Sequence, residues 1–84
     1  LLIKSYDMKY KDVEYTIAIF KSADHFFYEI ECGFIFMSSD EDSHRNVYDT
    51  PLDATFAAVR DICEGDEVVV KKLIREIKLE EILP

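Results

Sequence analysis

The stretch Ser38-Ser39-Asp40-Glu41-Asp42-Ser43-His44-Arg45-Asn46 concentrates more chemistry than any other part of the chain, with three consecutive carboxylates, three hydroxyls and an imidazole. Such a set could ligate a divalent cation, activate a nucleophile, attract a basic surface or simply stay hydrated. A calcium loop of the EF-hand kind starting at Asp40 needs Gly at its sixth position and Glu at its twelfth, and Arg45 and Pro51 stand there. For zinc the ligand types are His25, Cys32, His44 and Cys63, with neither CxxC nor HxxxH spacing among them. No metal and no cofactor is expected. Nucleophilic catalysis needs a Ser or Cys beside a base that a third group orients. Ser38, Ser39, Ser43, His44 and Asp49 share one stretch, but no GxSxG, P-loop or GxGxxG accompanies them, so no enzyme is expected.

The charge distribution favours the third use. The chain carries a formal −8. Residues 1–39 hold four lysines against six carboxylates, and residues 68–84 come to +1. Residues 40–67 hold nine carboxylates against only Arg45 and Arg60. A single-sign field of this kind repels nucleic acid and membrane headgroups and raises the encounter rate with basic surfaces. Direct nucleic-acid binding is excluded on that ground. An aromatic RNA-stacking strand over 31–39 is excluded as well, because Cys32 stands where a basic residue would precede the glycine. The plainer use of the acidity is solubility.

Cys32 and Cys63 are too few for the disulfide framework of a small secreted domain. Both fall at apolar positions of the local pattern and are expected as free, buried thiols. The opening LLIKSYD has neither the apolar core nor the cleavage site of a signal peptide, and no apolar run approaches the ~20 residues of a membrane span. A cytoplasmic location is the expectation. The missing initiator Met suggests trimming; were Met8 the start, residues 1–7 would be foreign to the chain.

The elements that must position these residues follow from periodicity. Val13, Tyr15, Ile17 and Ile19 alternate with Glu14, Thr16, Ala18 and Phe20, the pattern of a half-buried strand. Ser22-Ala23-Asp24-His25 is a turn, and Phe26, Tyr28, Ile30 and Cys32 alternate on a further strand. Leu2 to Met8 reads as a strand before them. Gly33 suggests a bulge or bend. If parity survives it, Phe34 and Phe36 continue the inner face, while Ile35 and Met37 join Phe27 on an apolar outer one.

Thr50-Pro51-Leu52-Asp53 combines an N-cap with a first-turn proline and predicts a helix over about 51–64, in which Leu52, Phe56, Val59 and Cys63 recur at helical spacing with Ala54, Ala57 and Ala58 filling in, and Gly65 takes the left-handed position after its end. Asp66 caps a second helix with a stripe of Val70, Leu73, Ile74 and Ile77; a strand over Val68-Val69-Val70 is the alternative.

One 84-residue domain (1–84) is expected, of the α+β class: an antiparallel three- to four-stranded sheet (β-β-β) followed by two helices packed on one face. Its expected function is that of a non-enzymatic protein-binding module. Asp40, Glu41, Asp42, Asp49, Asp53 and Asp61 would engage a basic protein partner, itself of the kind that binds nucleic acid. An inhibitor, antitoxin, immunity or phage anti-defence protein that mimics nucleic acid fits that description. The rival is an assembly subunit, a homodimer formed through the apolar sheet patch of Phe27, Ile35 and Met37 or through the last helix.

Overall fold

Three two-residue reversals build the sheet. Leu2–Tyr10 (β1) and Val13–Ser22 (β2) pair antiparallel with Tyr10 opposite Val13, so Lys11 and Asp12 form the whole turn. Both have positive φ, 51° and 65°, as a type I′ hairpin turn requires. Ser22 then faces His25 across Ala23 and Asp24, which starts His25–Cys32 (β3). Cys32 faces Ile35 across Gly33 and Phe34, which starts Ile35–Ser38 (β4). Gly33 takes φ 60° there, a conformation that costs glycine no steric penalty. The computed structural model describes the backbone of residues 1–41 and 44–82 and the side chains of 1–40 and 46–76. Among these, β1 to β4 form a sheet in sequence order, followed by two helices, as the α+β expectation has it.

Gly33 is therefore a reversal, where the sequence suggests a bend within one strand. The consequence is an inversion of faces. In a continuous strand Cys32 would share its side with Phe34; across a two-residue turn it shares its side with Ile35. Ile35 and Met37 thus pair with Cys32 and Ile30 on the face that carries the helices, and Phe36 pairs with Glu31 on the open face. Phe27 is on the open face too, stacked on Phe20 with ring centroids 5.2 Å apart. The expected patch of Phe27, Ile35 and Met37 is split between opposite sides of the sheet.

The fourth strand position is filled in two pieces. Past Ser38, the Ser39 N–H donates to the Tyr28 carbonyl (2.9 Å) and the Tyr28 N–H donates to Ser39 Oγ (3.0 Å). The Ser39 carbonyl accepts instead from the Asn46 N–H at 2.7 Å, which closes a neck. Between the two ends of that neck lie Asp40–Glu41 (β5) and His44–Arg45 (β6), a separate antiparallel ribbon. The chain rejoins the sheet at Tyr48, which exchanges both backbone hydrogen bonds with Phe26, each 2.8 Å.

Thr50 caps Pro51–Ile62 (α1) by accepting from the Asp53 N–H at 3.1 Å. The helix lies across β2 and β3. Its sheet-facing side is made of Ala54, Thr55, Ala58, Val59 and Ile62, with Leu52 exposed, so the stripe is rotated from the one expected. Small residues there let the helix backbone approach Ile17, Ile19, Tyr28 and Ile30, which supply the bulk. Thr55 is buried and donates its hydroxyl to the Pro51 carbonyl at 2.8 Å. Asp66 then caps Glu67–Ile82 (α2), its carboxylate 3.5 Å from the Val69 N–H. Val70 and Ile74 close the core over α1; this segment is helix, not strand. Of the expected stripe, Val70 and Ile74 are buried and Leu73 packs against them, while the side chain of Ile77 lies outside the described residues. No described helix is long and apolar enough to cross a membrane.

Candidate functional site: an acidic groove along the first helix

Capping by Thr50 fixes the rotation of α1, and with it the direction of its polar side. Asp53, Ala57 and Arg60 recur there at intervals of three or four, with Asp61 next to Arg60 and Glu64 just past the helix end, which puts them along one side of the helix. The returning segment 47–49 runs beside the strip because Tyr48 is pinned to Phe26. Between them lie two open, adjoining grooves. One, of about 450 Å3, is lined by Tyr48, Asp49, Asp53, Phe56 and Arg60; the other, of about 470 Å3, by Tyr28, Tyr48, Arg60, Asp61 and Glu64. Tyr48, Ala57 and Arg60 belong to both and join them into one channel.

Asp61 is the best-anchored carboxylate of the channel. The Tyr28 hydroxyl donates to its Oδ2 at 3.3 Å, and the Tyr48 ring lies 6.0 Å from that of Tyr28. Burial, and then the adjacent Asp61 charge, push the Tyr28 phenol well above the ordinary tyrosine range. Burial, and then Asp61, also raise Tyr48. Both phenols stay protonated, and Tyr28 serves as a donor to the carboxylate. Arg60 is tied outward, its Nε 3.0 Å from Glu67 Oε1, with both side chains more than half exposed. A pair so exposed contributes at most ~1 kcal/mol and yields readily to a competing carboxylate or cation.

No protein-family model, curated protein or solved structure matches this chain. The site therefore rests on its own geometry. Of the six acidic residues singled out from the sequence, Asp49, Asp53 and Asp61 line the channel. Asp40 and Glu41 belong to the separate ribbon, where the Asp40 N–H donates to Ser38 Oγ at 3.3 Å, and Asp42 lies outside the described residues. Tyr48, Phe56 and Glu64 were not singled out as site residues, although the spacing of 53, 57, 60 and 64 along α1 carries the signal for Glu64. Nothing in the sequence around Tyr48 announces that it would become a sheet residue and a wall of the channel. Among the described residues, no three His, Cys, Asp or Glu side chains converge as a metal site would need.

Proposed function

We propose that this protein is a binding module whose channel along α1 receives a basic segment of another protein. The observation that carries the reading is the meeting of Asp49, Asp53, Asp61 and Glu64 around the aromatic walls of Tyr48 and Phe56. An arginine or lysine entering there finds carboxylates for charge-assisted hydrogen bonds and ring faces for its cation. The concentrated negative field of residues 40–67 would steer such a partner in. Proteins that bind nucleic acid carry basic surfaces of this kind, so inhibition by masking a nucleic-acid site, as antitoxins, immunity proteins and phage anti-defence proteins do, is the concrete form of the proposal.

The test uses a fluorescent arginine-rich peptide and anisotropy titrations at about 0.15 M salt, where the Debye length is about 8 Å. Asp49→Asn, Asp53→Asn, Asp61→Asn together should weaken binding at least about tenfold. Asp12→Asn, Asp24→Asn, Glu31→Gln remove the same charge elsewhere and should change it less than about twofold. Equal losses in the two triple variants would mean that net charge alone attracts the peptide, and the channel would be abandoned as the site.

A further inference from the structure

The outer edge of β4 offers backbone hydrogen-bonding groups together with apolar side chains, a combination that recurs among the described residues at the start of β1, where Leu2 and Ile3 are exposed. Along β3, Phe26 and Tyr28 direct their backbone groups toward the fourth strand position. By the alternation of an antiparallel ladder, Ile30 and Cys32 do the same and engage Met37 and Ile35. Phe36 and Ser38 must then point their N–H and C=O groups away from the sheet, where no strand lies among the described residues. The side chains there are bare as well: Phe34 is 109% exposed, Ile35 66%, Phe36 59% and Met37 42%.

The opposite edge is protected. β1 carries a register shift between Leu2 and Lys4, and Lys4, Asp7 and Lys9 add charge, the usual devices against edge-to-edge pairing. From Gly33 to Ser39 there is no charge at all.

We propose that β4 pairs antiparallel with the β4 of a second copy across a two-fold axis at Phe36, which joins two four-stranded sheets into one. The proposal does not rest on the reading of the acidic channel. A second copy is the occupant because the edge is complementary to itself. With Phe36 opposite Phe36 of the other copy, Ile35 faces Met37 and Phe34 faces Ser38, so every cross-strand pair is uncharged and the two Phe36 residues exchange hydrogen bonds. Charge does not oppose the pairing. Glu31, opposite Phe36 on β3, would stand three strand spacings from its counterpart, about 14 Å, beyond the ~8 Å Debye length at physiological salt.

The exposed area is also of the right order. At about 200 Å2 for a fully exposed side chain of this size, the four residues present roughly 550 Å2 per copy. The two copies together present about the ~1,000 Å2 at which specific interfaces begin, so the dimer is expected to be reversible and dependent on concentration.

Sedimentation equilibrium over about 5–500 µM protein should show the mass rising from 9.8 kDa toward twice that value. Salt of about 1 M should not dissolve the dimer. Phe36→Lys should weaken association at least about tenfold while keeping the far-UV spectrum, since it puts like charges opposite each other. Val68→Lys, at an 80% exposed apolar site on α2, should leave association unchanged. In the unaltered protein, amide exchange at Phe36 and Ser38 should slow as concentration rises. A monomer mass throughout, or a dimer that folded Phe36→Lys leaves intact, overturns the proposal. Should Phe36→Lys not fold, exchange at those two amides decides: rates independent of concentration overturn the pairing.

Discussion

The end of α1 contains a position where the residue and the backbone disagree. Cys63 closes the helix, and Glu64 follows at φ 53°, with Gly65 at 81°. The Gly65 N–H donates to the Arg60 carbonyl at 3.0 Å, so the left-handed turn at Glu64 is what lets the chain leave the helix with its carbonyls satisfied. An L-residue in that conformation costs roughly 1–2 kcal/mol, and glycine would relieve it at an entropic cost of about 0.5–1 kcal/mol. Glu64→Gly should therefore stabilise the fold by about 0.5–1 kcal/mol. At about 4–8 °C per kcal/mol for a domain of this size, the thermal midpoint should rise by roughly 2–8 °C. Glu64→Ala is the reference, since it removes the same carboxylate and keeps the strain. Urea and thermal unfolding followed by circular dichroism at neutral pH would compare the two variants. If Glu64→Gly is no more stable than Glu64→Ala, the left-handed backbone at 64 is not a source of strain and the account of this helix end is wrong.

The open face and the core offer two further tests. Burial raises the Glu29 carboxyl above its ordinary value, so the unfolded chain releases that proton more readily than the fold, and the fold loses stability as pH rises through the carboxylate range. Glu29→Gln should accordingly be more stable than the parent at pH 7, with the gap closing below about pH 4; a gap of equal size at both pH values, read from urea midpoints, would show that the charge is not its cause. Cys63 is 1% exposed and its thiol is raised by burial and then by Asp66, whereas Cys32 is partly exposed. An aromatic disulfide reagent should modify Cys32 in the native protein and Cys63 only at the rate of unfolding, and a fast phase surviving in Cys32→Ser would contradict the packing of α1.

What the sequence revealed of this fold follows from how local each signal is. The alternation of Val13 to Phe20, the cap at Thr50-Pro51 and the cap at Asp66 are each set by neighbours a few residues away, and all three elements formed as read. Gly33 was misread because a bulge and a two-residue turn both ask for a glycine; which one forms depends on whether the following segment has a strand to fold back on, and β3 is that strand. The inversion of Ile35 and Met37 follows from that one residue. Val59, Cys63 and the filling alanines Ala54 and Ala58 are buried as read, while Leu52 is exposed because the close approach of α1 to the sheet favours the small residues on that side. The acidic channel was half legible. Asp53 and Asp61 are visible as helix residues, but their meeting with Asp49 depends on the bridge from Tyr48 to Phe26, a contact between residues 22 positions apart.

The neck between Ser39 and Asn46 separates two kinds of constraint on the sequence. Outside it, β3 is held in register by its ladders to β2 and β4, and the returning segment by the two hydrogen bonds between Tyr48 and Phe26. Inside it, the ribbon pairs Asp40 with Arg45 and Glu41 with His44, and the entropy of closing such a loop grows only by about 0.6 kcal/mol per doubling of its length. The neck is therefore where added length costs the chain least: an insertion between its two ends should leave the register of the sheet and the cap of the first helix unchanged.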